Sequence, residues 1–164
     1  MATRTELETQ LRAHWPRLRR FAYALSRDPA DADDLVQDVA IRAMGAAAQW
    51  QPGTRFDSWM FRIARNLWID TVRSKSRRDR GRAPVEEAET VGVDPRPAVE
   101  AQIDLKRAMA AMQRLPDEQR EVVSLIVIDG FGYREAAELL DLPIGTVSSR
   151  LVRGRQALMD MLGR

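Results

Sequence analysis

The feature that most constrains the fold is a stretch in the middle of the chain that lacks periodic hydrophobic residues. Residues 79–97, DRGRAPVEEAETVGVDPRP, carry glycine, proline and acidic residues, whereas both flanking segments carry apolar residues at helical spacing. This composition predicts a flexible linker. A chain of 164 residues that is divided at this point has room for two small domains.

Apolar residues recur at helical spacing before this stretch and predict three helices. The first covers about residues 5–26, and Pro16 should break or kink it because proline cannot donate the helical hydrogen bond. The second starts at Asp28, whose carboxylate suits a helix N-cap and is followed by proline and by acids in the first turn. The third covers about residues 56–77 and follows the turn sequence QPGTR.

A second helical block follows the linker and starts near Pro97. One helix ends at the Leu115–Pro116 step, and the next ends at Gly130. The run VVSLIVI has strand composition, but its acidic start, its glycine stop and the lack of a partner strand favour a helix. A short helix, a tight turn and a longer helix complete the chain. The sequence therefore predicts an all-α protein of two small helical domains joined by a flexible linker, the C-terminal one containing a helix-turn-helix.

Composition excludes several classes of protein. The chain has no cysteine, and therefore no disulfide framework and no thiolate metal site. No apolar run reaches the roughly 18–20 residues that a membrane span needs, and the start MATRTELETQL does not read as a signal peptide. The only histidine, His14, is expected to be a surface or packing residue, and no glycine-rich phosphate loop or metal spacing is present. We expect a cytoplasmic protein that is not an enzyme and that binds no metal and no cofactor.

Charge is distributed unevenly along the chain, although the net charge is only +2. Residues 62–82 hold eight basic residues and two acidic ones, whereas residues 28–38 hold five aspartates and no basic residue. Asp34 and Asp38 lie four residues apart on one helix face and repel each other, a cost that a basic partner surface would relieve. The two patches of opposite sign predict different partners.

The last helix has the two faces that a DNA-recognition helix needs. At about 100° per residue, Val147, Leu151 and Leu158 fall on one side and form a docking stripe. The opposite face carries Ser149, Val152, Arg153 and Gln156. Two such faces are what the recognition helix of a helix-turn-helix needs in the major groove. The start of this helix also carries small residues, and a helix N-terminus favours anions such as phosphates. The alternative is a solvated helix hairpin whose arginines face water. The absence of acids between Asp141 and Asp160 favours the DNA interpretation.

The long third helix carries two apolar stripes and a polar flank. One stripe makes a normal core face and consists of Phe56, Trp59, Met60, Ile63 and Leu67. Phe61 and Trp68 lie on a second side and are expected to pack on another helix of the same domain. Burial in a core does not suit the polar residues of this helix, namely Arg62, Asn66 and the basic residues that follow. Guanidinium and amide groups beside aromatic rings suit phosphates and unstacked bases.

Together these segments resemble bacterial RNA polymerase sigma factors of the extracytoplasmic-function (ECF) group of the sigma-70 family. The segment DADDLVQDVAIRA is similar to the helix that binds the clamp coiled coil of polymerase. The segment FDSWMFRIARNLWIDTVRSKSRR is similar to the part that opens and reads the −10 element. The segment LPDEQREVVSLIVIDGFGYREAAELLDLPIGTVSSRLVRGRQAL is similar to region four, which reads the −35 element. The three motifs stand in family order and cover nearly the whole chain.

The resemblance implies both the domain organisation and the function. Residues 1–79 would form region two, residues 80–97 the linker and residues 98–164 region four. The protein would be a promoter-specificity factor that binds the clamp coiled coil and flap of core RNA polymerase, recognises promoter DNA and initiates transcription, as in a stress response. An anti-sigma factor is a further expected partner. The alternative is a helix-turn-helix regulator that does not join polymerase, but such a regulator has no evident need for the acidic DDLVQD helix.

The family motifs also imply roles for single residues. Contacts with core polymerase would be made by Asp34, Leu35, Gln37 and Asp38. Contacts with the −10 element would be made by Trp59, Arg62, Arg65, Asn66, Arg73, Lys75, Arg77 and Arg78, with Asn66 reading a base and Trp59 acting as a wedge. Contacts with the −35 element would be made by Thr146, Ser148, Ser149, Arg150, Val152, Arg153 and Gln156.

Three further points follow from the same resemblance. Primary sigma factors carry two tryptophans where this sequence has Trp59-Met60, which implies weaker strand melting and stricter promoter demands. Many relatives have a basic residue in the stretch written here LIVIDG, where Ile126 and its neighbours are apolar. The loop AQWQPGTR occupies the place where such factors hold a flipped −10 base.

Overall fold

In the computed structural model, the described residues, 2–78 and 99–163, are mostly helical and contain no strand. Their α-helices are α1 Arg4–Ser26, α2 Pro29–Gly45, α3 Phe56–Arg78, α4 Val99–Arg114, α5 Asp117–Val123, α6 Tyr133–Leu140 and α7 Ile144–Leu162. A 3₁₀ turn, Ala47–Gln49, follows α2, and a π-helical turn, Ser124–Ile128, continues α5. The prediction of an all-α fold is confirmed. The predicted linker, residues 80–97, lies outside the described residues.

The first helix runs without interruption through Pro16, so of the predicted break or kink at this residue the break is wrong. A capping box starts it: Thr3 Oγ1 accepts from the Glu6 backbone N–H at 3.2 Å, and the Glu6 carboxylate accepts from the Thr3 N–H at 2.8 Å. Leu11 before the proline and Leu18 after it are both buried. Since proline removes only one backbone donor, packing on both sides keeps the two halves in one helix.

The predicted start of α2 is confirmed. The Asp28 carboxylate accepts hydrogen bonds from the backbone N–H groups of Ala30 at 2.7 Å and Asp31 at 3.2 Å, and Pro29 is the first helical residue. The predicted turn before α3 is also present. It includes Gly53 with φ of +89°, a backbone conformation that favours glycine.

Helices α1, α2 and α3 pack as a three-helix domain around their apolar faces. Phe21 of α1 and Phe61 of α3 stack with ring centroids 4.7 Å apart and planes 8° apart, and both rings are fully buried. Trp50 packs edge-on against Phe56 at 5.2 Å. Trp68 is half-buried against the same core, as predicted.

The second domain contains the predicted helix-turn-helix, formed by α6 and α7. The segment VVSLIVI is helical, as predicted, but its second half widens into the π-helical turn, where the Asp129 N–H donates to the Ser124 carbonyl. The chain turns out of this segment at Gly130, which has a φ of +74°. Helix α6 ends at Asp141 in the left-handed conformation, and α7 begins three residues later at Ile144.

The two domains touch each other, a contact that the sequence did not predict. Phe131, which follows the π-helical turn, is buried with its ring centroid 5.5 Å from that of Phe61. The Arg120 guanidinium of α5 is also buried and donates to the Ala24 carbonyl of α1. As a result, the buried apolar residues of both domains form one contiguous cluster.

Gly154 lies where α7 passes close to α5, which makes it sensitive to added volume. A Cβ at this position would stand 2.7 Å from Cγ2 of Val123. We therefore expect Gly154→Ala to lower the free energy of unfolding by about 1–3 kcal/mol, the usual cost of overpacking. Urea unfolding followed by circular dichroism measures this change.

Gly145 provides the matched control on the same helix. A Cβ at Gly145 would meet no heavy atom within 4 Å. Gly145→Ala should therefore leave stability unchanged or raise it by up to about 1 kcal/mol, since alanine is the better helix former. Equal losses for the two variants would contradict the close approach of α7 to α5.

Candidate DNA and polymerase interfaces

The polar face of α7 is exposed, opposite the buried stripe around Leu151. Four side chains form it, and we call them the recognition face: Ser149, Val152, Arg153 and Gln156. Ser149 Oγ donates to the Thr146 carbonyl at 3.1 Å, and Gln156 Nε2 donates to Asp160 Oδ1 at 3.0 Å. The two polar side chains are therefore held close to the helix, while Arg153 projects from the same exposed face.

Three other predicted −35 residues are less accessible. Thr146, Ser148 and Arg150 are half-buried. Arg150 Nη2 lies 3.6 Å from Oε2 of Glu118, so its guanidinium is directed toward α5 of the same domain. These three residues border the recognition face and do not project from it.

Helix α3 exposes a polar flank that belongs to neither core. Four exposed side chains form it, and we call them the α3 face: Arg62, Asn66, Arg73 and Arg77. Arg78 is also exposed and ends the helix, about 100° around the axis from Arg77. Trp59 stands beside this face but is half-buried, with its ring 5.7 Å from that of Phe56. Only part of its ring is available to a base.

Two predicted −10 residues are engaged elsewhere. Arg65 Nε donates to Oε1 of Glu121, in the second domain, at 2.5 Å, and the two side chains are only 18% and 17% exposed. Lys75 Nζ lies 3.1 Å from Oδ2 of Asp31 and 5.8 Å from the centroid of the Trp68 ring. In this arrangement Arg65 is not available to DNA, because a carboxylate already occupies it.

Helix α2 presents a second polar surface of opposite sign. We call its three exposed members the acidic face: Asp34, Gln37 and Asp38. Leu35, which was predicted to contact polymerase, is 4% exposed and belongs to the core, because it lies about 100° around the helix from Asp34. Its side chain is not available to a partner.

Ile41 borders the acidic face and was missed by sequence reasoning. It follows Asp38 by three residues, on the same side of α2, and is 71% exposed. It borders an open groove of about 580 Å³ that is also lined by Ala40 and Met44. The helical spacing that selected Asp34 and Asp38 also points to Ile41, so the signal was present in the sequence.

A second open pocket, of about 410 Å³, lies between α1 and the loop before α3. It is lined by Gln10 and His14 of α1 and by Trp50, Gly53 and Phe56. The Trp50 indole N–H is buried and has no hydrogen-bond partner among the described residues. His14 Nδ1 lies 2.8 Å from the Gln10 carbonyl oxygen, within hydrogen-bond distance. The structure thus places His14 in a pocket wall that two distant segments build together.

Opposite charges line the contact between the two domains. Among the described residues, four ion pairs join an arginine of the first domain to an acid of the second: Arg17–Asp129, Arg27–Asp117, Arg55–Glu135 and Arg65–Glu121. Together with the rings of Phe61 and Phe131 they form what we call the domain interface. Its components come on one side from α1, α3 and the adjoining residues Arg27 and Arg55, and on the other from α5, α6 and the segment between them.

Arg17 occupies the centre of the domain interface. Its Nη1 lies 3.1 Å from Oδ2 of Asp57, and its Nε lies 3.3 Å from Oδ1 of Asp129. The guanidinium carbon lies 5.5 Å from the ring centroid of Phe61 and 5.8 Å from that of Phe131. One cation therefore contacts a carboxylate and an aromatic ring from each domain.

Burial changes the acidity of the interface carboxylates. It raises the pKa of Glu121 above the ordinary value of 4.5, and the charge of Arg65 offsets only part of this effect. Burial raises the pKa of Asp129 as well, despite the hydrogen bond from Arg17. Burial also opposes ionisation of Asp57, but hydrogen bonds from two arginines and a backbone N–H outweigh it and lower the pKa. Glu121 and Asp129 of the second domain thus lose hydration when they are buried in the interface, and their arginine partners compensate for only part of that loss.

The described residues, 2–78 and 99–163, lack two kinds of feature. None of their helices is long and apolar enough to cross a membrane. Nor do they contain a group of three or more histidine, cysteine, aspartate or glutamate residues that could hold a metal ion.

Comparison with known sequences identifies relatives of both domains. Residues 11–78 match the family described as Sigma-70 region 2, and residues 105–158 match Sigma-70, region 4. The chain is 38% identical to ECF RNA polymerase sigma factor SigE of Mycolicibacterium smegmatis, with 94% of this chain and 60% of SigE aligned. It is 36% identical to ECF RNA polymerase sigma factor EcfG of Rhodopseudomonas palustris, with 95% of this chain and 84% of EcfG aligned.

Solved structures with the same fold include a sigma factor bound to an anti-sigma factor. The sigma factor RpoE of Bartonella quintana, crystallised with the anti-sigma factor NepR, superposes with a TM-score of 0.80 at 32% identity. That match covers 95% of this chain and 96% of RpoE, and therefore includes both domains. CnrH in complex with the cytosolic domain of CnrY gives a TM-score of 0.69 at 26% identity, covering 99% of this chain and 90% of CnrH.

The raised pKa of Glu121 predicts how stability depends on pH. A carboxyl whose pKa is raised by folding contributes most below its unfolded pKa, ordinarily 4.5, and this contribution is lost as pH rises through the folded pKa. Glu121→Gln removes this titration. The free energy of unfolding of the variant, relative to the unchanged chain, should therefore increase between about pH 4 and about pH 7.

Urea titrations at several pH values measure this difference. Glu118→Gln is the matched control, because Glu118 lies on the same helix but its side chain is 68% exposed. The control should show a smaller pH dependence. A difference for Glu121→Gln that stays constant across the range would contradict the effect of burial on this carboxyl.

Proposed function

This chain belongs to the extracytoplasmic-function group of RNA polymerase sigma factors, and we propose how its exposed residues divide the work of a promoter-specificity subunit. Residues 1–79 act as region two and residues 98–164 as region four. The observation that carries this proposal is the presence of three separate exposed faces of suitable chemistry. They are the acidic face for polymerase, the α3 face for the −10 element and the recognition face for the −35 element.

The recognition face enters the major groove at the −35 element. The exposure of Arg153 supports its role in base readout, since arginine pairs with the two acceptors of guanine. Ser149 and Gln156 add polar contacts, and Val152 offers an apolar contact to a thymine methyl group. Thr146 and Ser148, at the start of α7, approach the phosphate backbone, where a helix N-terminus favours anions.

The α3 face holds the non-template strand at the −10 element. Asn66 reads a base, Arg62 and Arg73 lie on the same flank, and the helix ends in Arg77 and Arg78, which contact phosphates. Trp59 supplies the exposed part of its ring as a wedge. Because this is one ring and not a pair, strand opening depends more strongly on contacts made by the rest of the α3 face.

The pocket between α1 and the loop accepts a base that leaves the stack. Support comes from the lining of this pocket, which combines the aromatic residues Trp50 and Phe56 with the polar side chains of Gln10 and His14.

The acidic face docks on core polymerase. Asp34 and Asp38 suit a basic surface on the clamp coiled coil, while Ile41 supplies the apolar anchor that Leu35 cannot provide. The second domain contacts the polymerase flap. An anti-sigma factor is a further partner, as the complex of RpoE with the anti-sigma factor NepR suggests.

A regulator that binds DNA without joining polymerase is not supported, because residues 11–78 match region two of sigma factors. The chain acts on transcription, and we propose that it catalyses no reaction itself. It works in the cytoplasm, where core polymerase and promoter DNA meet.

Arg153→Ala tests the recognition face. The variant should reduce initiation at promoters that need a −35 element, by the roughly 1–3 kcal/mol that a base contact contributes, and should bind core polymerase normally. Run-off transcription and co-elution with core enzyme measure the two properties. Arg155→Ala is the control, because Arg155 is exposed on the same helix about 200° away. Loss of core binding in Arg153→Ala, or equal loss of initiation in the control, would refute the role of Arg153.

Asp38→Arg tests the acidic face. Reversing this charge should weaken binding to core polymerase by several-fold or more, because it places a cation against a basic partner surface. Asp33→Arg is the matched control, since Asp33 is exposed on α2 but points away from the acidic face and pairs with Arg19. Titration of core enzyme with labelled chain gives both affinities. An unchanged affinity for Asp38→Arg would count against this surface.

A further inference from the structure

We propose that Lys75, Asp31 and Trp68 form a clasp between α3 and α2, and that this clasp sets the direction of the basic end of α3. Lys75 itself does not contact DNA. It holds Arg73 and Arg77 of the α3 face in position for the opened strand. This inference rests on the proposed function and assigns a positioning role to three residues that had none there.

The basic end of α3 is the part of this helix that no core holds. The last buried residue of α3 is Ala64, the half-buried residues end at Thr71, and residues 72–78 are all exposed. A helix end without tertiary packing opens easily. The direction of the last two turns therefore depends on the few contacts that their side chains make with other parts of the chain.

One side chain of this end contacts another helix. Lys75 Nζ lies 3.1 Å from Oδ2 of Asp31, in the first turn of α2, and 5.8 Å from the centroid of the Trp68 ring. No other residue of 72–78 forms an ion pair or a side-chain hydrogen bond within the described part of the chain. Because Trp68 packs against the core of the first domain, the ammonium beside its ring is tied to that core as well as to α2.

Lys75 lies on the opposite side of α3 from the residues that read DNA. It is two positions from Arg73 and two from Arg77, which places it about 160° around the helix axis from each of them. It instead continues the row of Ala64 and Trp68, at helical spacing, toward the core side of the helix. Its ammonium is therefore directed toward α2 and away from the α3 face.

Fixing the end of α3 in advance lowers the cost of binding DNA. Side chains on an opened helix end lose conformational freedom when they bind, and a pre-organised surface avoids part of that loss. The clasp consists of one partly exposed ion pair and one contact of a cation with a ring, which are both modest interactions. Its loss should therefore weaken the contact with the −10 element by about threefold and not abolish it.

Asp31→Asn tests the clasp, because general electrostatics predict the opposite result. The variant loses a negative charge, which by itself should favour phosphates. Loss of the clasp should instead lower the affinity of the preassembled complex with core polymerase for a fork-junction DNA with a single-stranded −10 element, by about threefold. Asp33→Asn is the matched control, since it removes the same charge from the same helix but Asp33 pairs with Arg19 of α1. If Asp31→Asn binds this DNA as tightly as the control, the proposal is refuted.

An exchange of the two charges separates positioning from direct contact. Lys75→Asp should weaken binding of the same DNA, whereas Lys75→Asp combined with Asp31→Lys re-forms the ion pair and should restore the affinity to within about twofold of the unchanged chain. An aspartate could not replace a lysine that contacted a phosphate. If the double variant binds as weakly as Lys75→Asp, Lys75 contacts DNA and the proposal is overturned. The neutral variant Asp31→Asn decides the question even if a charge-reversed chain folds poorly.

Hydrogen exchange in the free chain tests the clasp without DNA or polymerase. Amide exchange of residues 72–78, followed by mass spectrometry, should be about threefold faster in Asp31→Asn than in Asp33→Asn. High salt should reduce this difference, because the ion pair is partly exposed. Equal exchange rates at low salt would refute the clasp. If the rates differ but the unchanged chain with core polymerase does not bind the −10 DNA, the proposed function is refuted together with the positioning role, while the contact of α3 with α2 is confirmed.

Discussion

The arrangement of the whole chain depends on one cation, Arg17. A guanidinium can donate in its plane to the carboxylates of Asp57 and Asp129 while its faces lie near the rings of Phe61 and Phe131, which a lysine ammonium could not do in the same way. The position of this group requires an unbroken α1, since the preceding residue is a proline. Packing that keeps α1 continuous therefore also fixes the contact between the two domains.

Much of the fold could be predicted because its signals are local. The cap of α2 at Asp28, the span of α3 and the exposed side of α7 around Arg153 each depend on spacing within one segment. What the sequence did not reveal depends on segments that are far apart. The contact of Phe61 with Phe131 is of this kind, because no helical period relates residues that lie 70 positions apart.

Charge patterns predicted the sign of a partner but not its identity. Arg65 was assigned to DNA because basic residues surround it, yet in the folded chain its partner is the carboxylate of Glu121. A phosphate and a carboxylate place similar demands on an arginine, so sequence cannot distinguish them. Arg62 follows Phe61 in the same helix and lies about 100° further around its axis, where it faces solvent. This rotation is enough to separate a residue of the domain interface from a residue that can contact DNA.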